Sequence, residues 1–211
     1  MDDSTGLVDL GVALVLAGGE SRRMGTDKAL MTWHGEPMLQ RTCRVALTCT
    51  DRVYVVTPWG ERYRSLLSPT VQIWPDATPP TPAGRRPGPL VALASVVTAL
   101  ATQPPNCLPQ WVLALACDMP HLDQVPLSHW RSHLAHLPPS VLAYVPRRGK
   151  HWEPLCGFYR IACGARWQAY LATGQRSFQG WLNQLPPLAT AAPPDVDPTG
   201  LMNLNAPEDI P

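Results

Sequence analysis

Long apolar runs are missing from this chain. The longest near its N-terminus is Val12–Ala17, far short of the ~20 residues that span a bilayer. Charge is scarce as well. Lys and Arg number 17, Asp and Glu 16, and charged residues make up 16% of 211, for a net charge of +1. A near-neutral balance removes the electrostatic basis for general nucleic-acid or membrane-surface binding. It still admits an anionic substrate met by a local cluster. CxxC pairs are absent: the six cysteines stand at 43, 49, 107, 117, 156 and 163. The chain also exceeds the size at which disulfides substitute for a core, so the thiols read as reduced. Residues 1–9 carry three aspartates and no Lys or Arg, the wrong charge for a secretory signal. A soluble, cytoplasmic chain is expected, with no internal repeat.

Proline is in excess instead, with 25 residues, more than twice the usual ~5%. Proline and glycine together stay below the roughly 25–30% of low-complexity chains, so the prolines punctuate elements. Six lie between Pro75 and Pro89, and five more in 186–198. The apolar runs Val12–Ala17, Val53–Val56, Val71–Trp74 and Trp111–Ala116 read as strands buried on both faces. Helical patterns at Pro37–Leu47 and Pro89–Gln103, each opening on a proline, lie between them. The alternation predicts βαβ units and a mostly parallel sheet, with ligands collecting at the strand C-termini. Three of those ends carry Gly18-Gly19, Asp76 and Asp118. Further on, Val141–Val145 reads as a strand, 147–150 as a basic turn, and Leu155–Arg160 as its hairpin partner. Helices are expected over 162–172 and 177–185, a loop over 186–198, and a short strand at Leu201–Leu204.

The segment Leu16–Leu30 (LAGGESRRMGTDKAL) is the most informative. A buried strand opens into a loop with Gly18, Gly19 and Gly25, where backbone N–H groups can approach an anion without a Cβ in the way. Arg22, Arg23 and Lys28 add local positive charge suited to phosphate oxygens. The loop is neither a Walker sequence nor GxGxxG. Asp76 ends the third strand run. Asp118 ends the fourth, in Ala116-Cys117-Asp118-Met119-Pro120. The six histidines show no HExxH or metal-pair spacing, and His129 and His133 read as helix surface.

With its Arg23-Met24-Gly25 core and Asp27-Lys28 pair, this loop resembles that of the molybdenum cofactor guanylyltransferases (the MobA family). The likeness runs from residue 12 to 209. It includes Gly88-Pro89-Leu90, Cys117-Asp118-Met119-Pro120, Glu153-Pro154-Leu155 ahead of Tyr159-Arg160, and Asn203-Leu204-Asn205-Ala206-Pro207. Three departures stand out. Val91-Ala92 replaces Ala-Gly, Ala206 replaces Thr, and Thr57 stands where many members have Asn. The resemblance implies a Rossmann-like three-layer α/β fold of the nucleotide-diphospho-sugar transferase type. It would form one domain, 1–211, with a nucleotide half near 10–122 and a pterin or acceptor half near 123–211. It implies GMP transfer from GTP to the terminal phosphate of Mo-molybdopterin, with Mg²⁺, or Mn²⁺ in its place. Arg22, Lys28 and Asp118 would be catalytic, with Asp118 the metal ligand. Leu16, Ala17, Gly18, Gly19, Lys28, Asp76 and Asp118 would bind nucleotide, Asp76 through the guanine base. Glu153, Asn203 and Asn205 would lie on the acceptor side.

Arg147, Arg148 and Lys150 fit a substrate phosphate and a solvated hairpin tip equally well. Two other functions stay open: a nucleotidyltransferase using CTP or a sugar or alcohol phosphate, and a non-catalytic module that delivers the cofactor. Cofactor-insertion proteins and molybdoenzymes are the protein partners the resemblance implies; nucleic acid and membrane are not expected.

Overall fold

A computed structural model describes residues 11–19, 27–81, 84, 86–193 and 199–202. A seven-stranded sheet forms its centre. Its strands are β1 (Val12–Leu16), β4 (Val53–Thr57), β5 (Val71–Pro75), β6 (Trp111–Ala116), β7 (Ala143–Tyr144), β10 (Cys156–Arg160) and β11 (Thr190–Ala191). They lie in the order β11-β7-β10-β6-β1-β4-β5. β1 pairs in parallel with β4 and β6, and β4 with β5. Only β10 runs against the rest, antiparallel to both β6 and β7. Two hairpins stand outside this sheet: β2 (Thr32–Trp33) with β3 (Glu36–Pro37), and β8 (Arg147–Arg148) with β9 (His151–Trp152).

Strand alternation divides the core between two faces. Ala13, Val15, Val53, Val55, Leu113 and Leu115 meet α1 (Met38–Leu47), Tyr63 of α2 (Gly60–Tyr63) and α4 (Gln124–His133). Val12, Leu14, Val56, Val112 and Ala114 meet α3 (Pro89–Leu100), α5 (Cys163–Ala172) and α6 (Phe178–Gln184). Two-sided cover explains why β6 is apolar and buried throughout. Pro75 is tolerated because β5 is an edge strand, where a missing N–H breaks no ladder. All six cysteines are unpaired, and five are buried. Among the described residues no helix is long and apolar enough to cross a membrane.

The expected elements form, with local differences. α1 starts at Met38, because Pro37 pairs with Thr32 in the β2–β3 hairpin. That hairpin turns through His34 and Gly35, both at positive φ (48° and 81°), the geometry of a two-residue turn. α3 ends at Leu100 rather than Gln103. Residues 190–191 add a strand where only a loop is expected, since two residues carry no readable period. Thr199–Leu201 forms a 3₁₀ turn in place of the start of a strand, and Asn203-Leu204 lie outside the described residues.

α5 lies very close to α3. A Cβ on Gly164 would sit 3.1 Å from Val97 Cγ1 and 3.2 Å from the Thr98 amide nitrogen. Gly164→Val should therefore lower stability by roughly 1–3 kcal/mol through overpacking. Urea denaturation reads this as a lower midpoint; an unshifted midpoint would mean the two helices part without penalty.

Candidate active site

The chain steps from β1 to β4 to β5 on one side of the sheet, then returns to the other side of β1 as β6. The loops leaving β1 and β6 both turn toward the face that carries α1 and α4, at the carboxyl edge where open α/β sheets bind ligands. The four parallel strands end along one edge, and hydrogen bonds tie the ends together. Ala17 N–H donates to Val56 O at 3.0 Å, Asp76 N–H to Thr57 O at 2.9 Å, and Cys117 N–H to Leu16 O at 3.3 Å.

Leu16 and Ala17 thus use backbone groups to hold the edge together. Gly18 and Gly19, the next two residues, make no hydrogen bond within the described structure. A Cβ on Gly19 would meet nothing within 4 Å. One on Gly18 would meet Pro58 Cδ at 3.6 Å and Asp76 Oδ2 at 4.0 Å, both ordinary contacts. Neither glycine has a left-handed φ. The chain's own packing does not demand glycine at either position. Thr57, expected in place of an asparagine, is buried, and its hydroxyl is engaged internally. Oγ1 donates to Ala17 O at 2.8 Å and accepts from Trp59 N–H at 3.1 Å.

Lys28 and Asp118 meet directly. Lys28 Nζ lies 3.0 Å from Asp118 Oδ2, with side chains 19% and 20% exposed, so the pair is shielded yet reachable. Four residues fix these two: Asp27, which belongs to the loop pattern read in the sequence, and Arg41, Arg62 and Tyr63, which no sequence pattern singles out. Asp27 caps the 3₁₀ turn Lys28–Leu30 by accepting from Ala29 N–H at 3.1 Å. Its other oxygen accepts from the Tyr63 hydroxyl at 2.7 Å and Arg62 Nη1 at 2.9 Å. Burial and the neighbouring Asp27 carboxylate push the Tyr63 phenol well above its ordinary pKa, so it is a donor at neutral pH. Arg41 of α1 donates from Nε to Pro120 O (2.9 Å) and from Nη2 to Leu122 O (3.1 Å), pinning the segment after Asp118.

Asp76 is paired with Arg86, Nη2 to Oδ2 at 2.6 Å; Arg86 also donates to Asp76 O (3.2 Å) and Thr78 O (2.9 Å). Asp76 Oδ1 accepts from Thr78 N–H at 3.0 Å. Gly88 supplies φ 101° and ψ 168° ahead of α3, a conformation essentially closed to other residues. Pro89 then opens the helix, as expected.

Glu153 follows β9. Leu155 O accepts from Ala116 N–H at 2.9 Å, which sets this segment beside the end of β6. Burial raises the Glu153 pKa, against the pull of Arg148, 2.9 Å away. Tyr159 and Arg160 have structural duties. The buried Tyr159 hydroxyl donates to Pro154 O at 2.7 Å, and Arg160 stacks on Trp111 at 4.3 Å. Arg147 stacks on Trp152 at 4.5 Å, and the β8–β9 tip is exposed. His133 of α4 lies 2.9 Å from the Tyr144 hydroxyl. Arg22, Asn203 and Asn205 fall outside the described residues. Among those described, no group of three His, Cys, Asp or Glu could enclose a metal ion. A lone carboxylate still fits Mg²⁺, which takes one or two carboxylates and completes its shell with substrate phosphates and water.

Comparison with known proteins gives a consistent result. The profile of the MobA-like NTP transferase domain matches residues 13–188. The chain is 45% identical, over 93% of its length and 94% of the relative's, to a protein of Synechococcus elongatus named "Probable molybdenum cofactor guanylyltransferase". It is 42% identical to a protein of the same name from Trichormus variabilis, over 94% of this chain and 87% of that one. In fold it is similar to molybdopterin-guanine dinucleotide biosynthesis protein A of Archaeoglobus fulgidus. That match has TM-score 0.67 at 18% identity and covers 94% of each chain.

The Asp27 contacts predict a measurable hierarchy. Tyr63→Phe removes one hydrogen bond and keeps the ring, a loss of about 1 kcal/mol. Asp27→Ala strands the Tyr63 hydroxyl and the Ala29 amide together, a loss of about 2–3 kcal/mol. Denaturant unfolding measures both, and wild-type stability in Asp27→Ala would exclude the tie.

Proposed function

This chain belongs to the MobA-like NTP transferase domain family, and from that premise we propose that it transfers GMP from GTP to the terminal phosphate of Mo-molybdopterin. A phosphate oxygen of the pterin attacks the α-phosphorus of GTP. The bond from that phosphorus to the bridging oxygen of the β-phosphate breaks, and pyrophosphate leaves. The product is molybdopterin guanine dinucleotide.

The observation that carries this reading is the placement of Lys28 against Asp118, at the strand edge from which two glycines with uncommitted backbone groups also leave. Such a set serves phosphoryl transfer, where catalysis is chiefly positioning and charge neutralisation. The attacking phosphate is already an anion at neutral pH and needs no strong base. Gly18 and Gly19 amides, with Lys28 and Arg22, hold the triphosphate. Asp76 accepts from the guanine base. Glu153, Asn203 and Asn205 serve the acceptor side, and the ionic Arg148–Glu153 contact orders the hairpin there. Asp118 is the residue that would hold Mg²⁺, or Mn²⁺, which when bound neutralises charge on the phosphoryl oxygens. The family resemblance points to cofactor-insertion proteins and molybdoenzymes as recipients of the product, and to the cytoplasm as the place of work.

Pyrophosphate release from GTP in the presence of Mo-molybdopterin is the direct test. A carrier that only delivers cofactor would release none. Competition between GTP and CTP distinguishes this chemistry from that of cytidylyltransferases, which share the fold at TM-score 0.62. Asp118→Ala should abolish turnover and leave the unfolding midpoint near that of wild type; retained Mg²⁺-dependent turnover would sink the assignment. Lys28→Ala should raise KM for GTP and lower kcat, and unchanged constants would remove Lys28 from the site.

A further inference from the structure

Asp76 and Arg86 form a more complete recognition surface than a carboxylate alone. Each carboxylate oxygen can accept two hydrogen bonds. Oδ1 has one, from Thr78 N–H, and Oδ2 has one, from Arg86 Nη2. Two acceptor positions therefore remain on Asp76. Arg86 places Nη1 on Thr78 O, and Nη2 on Asp76 O and Oδ2. Its Nε is buried and donates to nothing. A buried cationic donor without an acceptor is unfavourable by more than a neutral one, and it calls for a partner. The cluster at the end of β5 thus holds two open acceptor positions on Asp76, whose Oδ2 lies near Gly18, and one unpartnered donor on the guanidinium paired with it.

The Watson–Crick edge of guanine carries the complement: two donors, the 2-amino group and N1–H, next to one acceptor, O6. We propose that Arg86 is a specificity-determining residue, its Nε–H taking O6 of guanine while Asp76 takes N1–H and the 2-amino group. This rests on the reading of Asp76 as the base acceptor, and it adds a second residue with its own chemistry. Adenine sets its 6-amino donor against the Arg86 donor and its N1 acceptor against the carboxylate. Two like-to-like contacts reject it, which separates bases more sharply than a missing contact would. Cytosine, with one donor and two acceptors, fits the cluster no better.

The test compares GTP, 6-thio-GTP and ITP as ligands of the full chain, in wild type, Arg86→Met, Arg86→Lys and Asp76→Ala. Sulfur is a weak acceptor, so 6-thio-GTP reports on O6; ITP lacks the 2-amino group and reports on Asp76. Wild type should prefer GTP to 6-thio-GTP by about tenfold. Arg86→Met should erase that preference and keep the preference for GTP over ITP. Arg86→Lys, which preserves the cation beside Asp76 without the guanidinium Nε, should erase it too, and serves if the Met variant does not fold. A wild-type ratio of GTP to 6-thio-GTP in either variant would overturn the proposal and leave Arg86 a tether for its loop. Asp76→Ala should lose the preference for GTP over ITP. If it does not, the base reading of Asp76 fails by itself, whatever Arg86 does.

Discussion

The Lys28–Asp118 contact depends on β1 and β6 lying side by side and parallel, because their carboxyl ends then open onto the same edge. Parallel neighbours cannot be joined by a tight turn; each return needs a crossover, and the crossovers here are helices. Right-handed crossovers send helices to opposite faces once the chain reverses its direction of travel across the sheet. That reversal lies between β1 and β6. The loops bearing Lys28 and Asp118 still leave their two neighbouring strands toward one face, that of α1 and α4, and so the side chains meet. Arg41 and Asp27 then limit how far each loop can drift. Arg41 ties α1 to the Asp118 segment, and Asp27 ties the Lys28 turn to α2.

The strands buried on both faces were the most legible part of the fold. Burial on two sides forces continuous apolar runs, and Val12–Leu16, Val53–Thr57 and Trp111–Ala116 advertise themselves. Short elements did not. β11 is two residues and β2–β3 two residues a side, too few for a period to show. The β2–β3 turn also uses His34 at positive φ, where composition signals an Asn or Asp. Among the site residues, Asp118 was readable because it stands just past a strand end, and Lys28 because it belongs to the glycine-rich loop after β1. Arg41 and Tyr63 were not, since each acts on a partner distant in sequence. Arg41 reaches Pro120, 79 positions away, from an ordinary amphipathic helix. Arg86 had a faint signal, as one of two arginines directly ahead of Pro-Gly-Pro.

The proline-rich connection from Asp76 to Gly88 acquires a physical role from Arg86. Each proline lowers the number of conformations the free chain can visit, so less entropy is lost when the connection is fixed. Proline also removes amide donors, so the connection has fewer backbone groups with which to pair. One arginine supplies the missing bonds, gripping Asp76 and Thr78 at the start of the connection from a point near its end. Gly88 then turns the chain into α3.

The proposed acceptor side is held by a different principle. β10 enters the sheet antiparallel to β6, which brings the segment before it, Glu153–Leu155, to the same edge where the parallel strands end. Its position is set from the core outward. Tyr159 is wedged among Trp167, Phe178 and Trp181, and its hydroxyl fastens Pro154. A glutamate next to a proline thus takes its place from an aromatic cluster on the far side of the strand. Burial raises its pKa while Arg148 pulls the other way, so the carboxylate is held by one partner on an exposed hairpin rather than by a rigid network. The proposed nucleotide side is braced by charged pairs between loops, and the proposed acceptor side by apolar packing beneath one short segment.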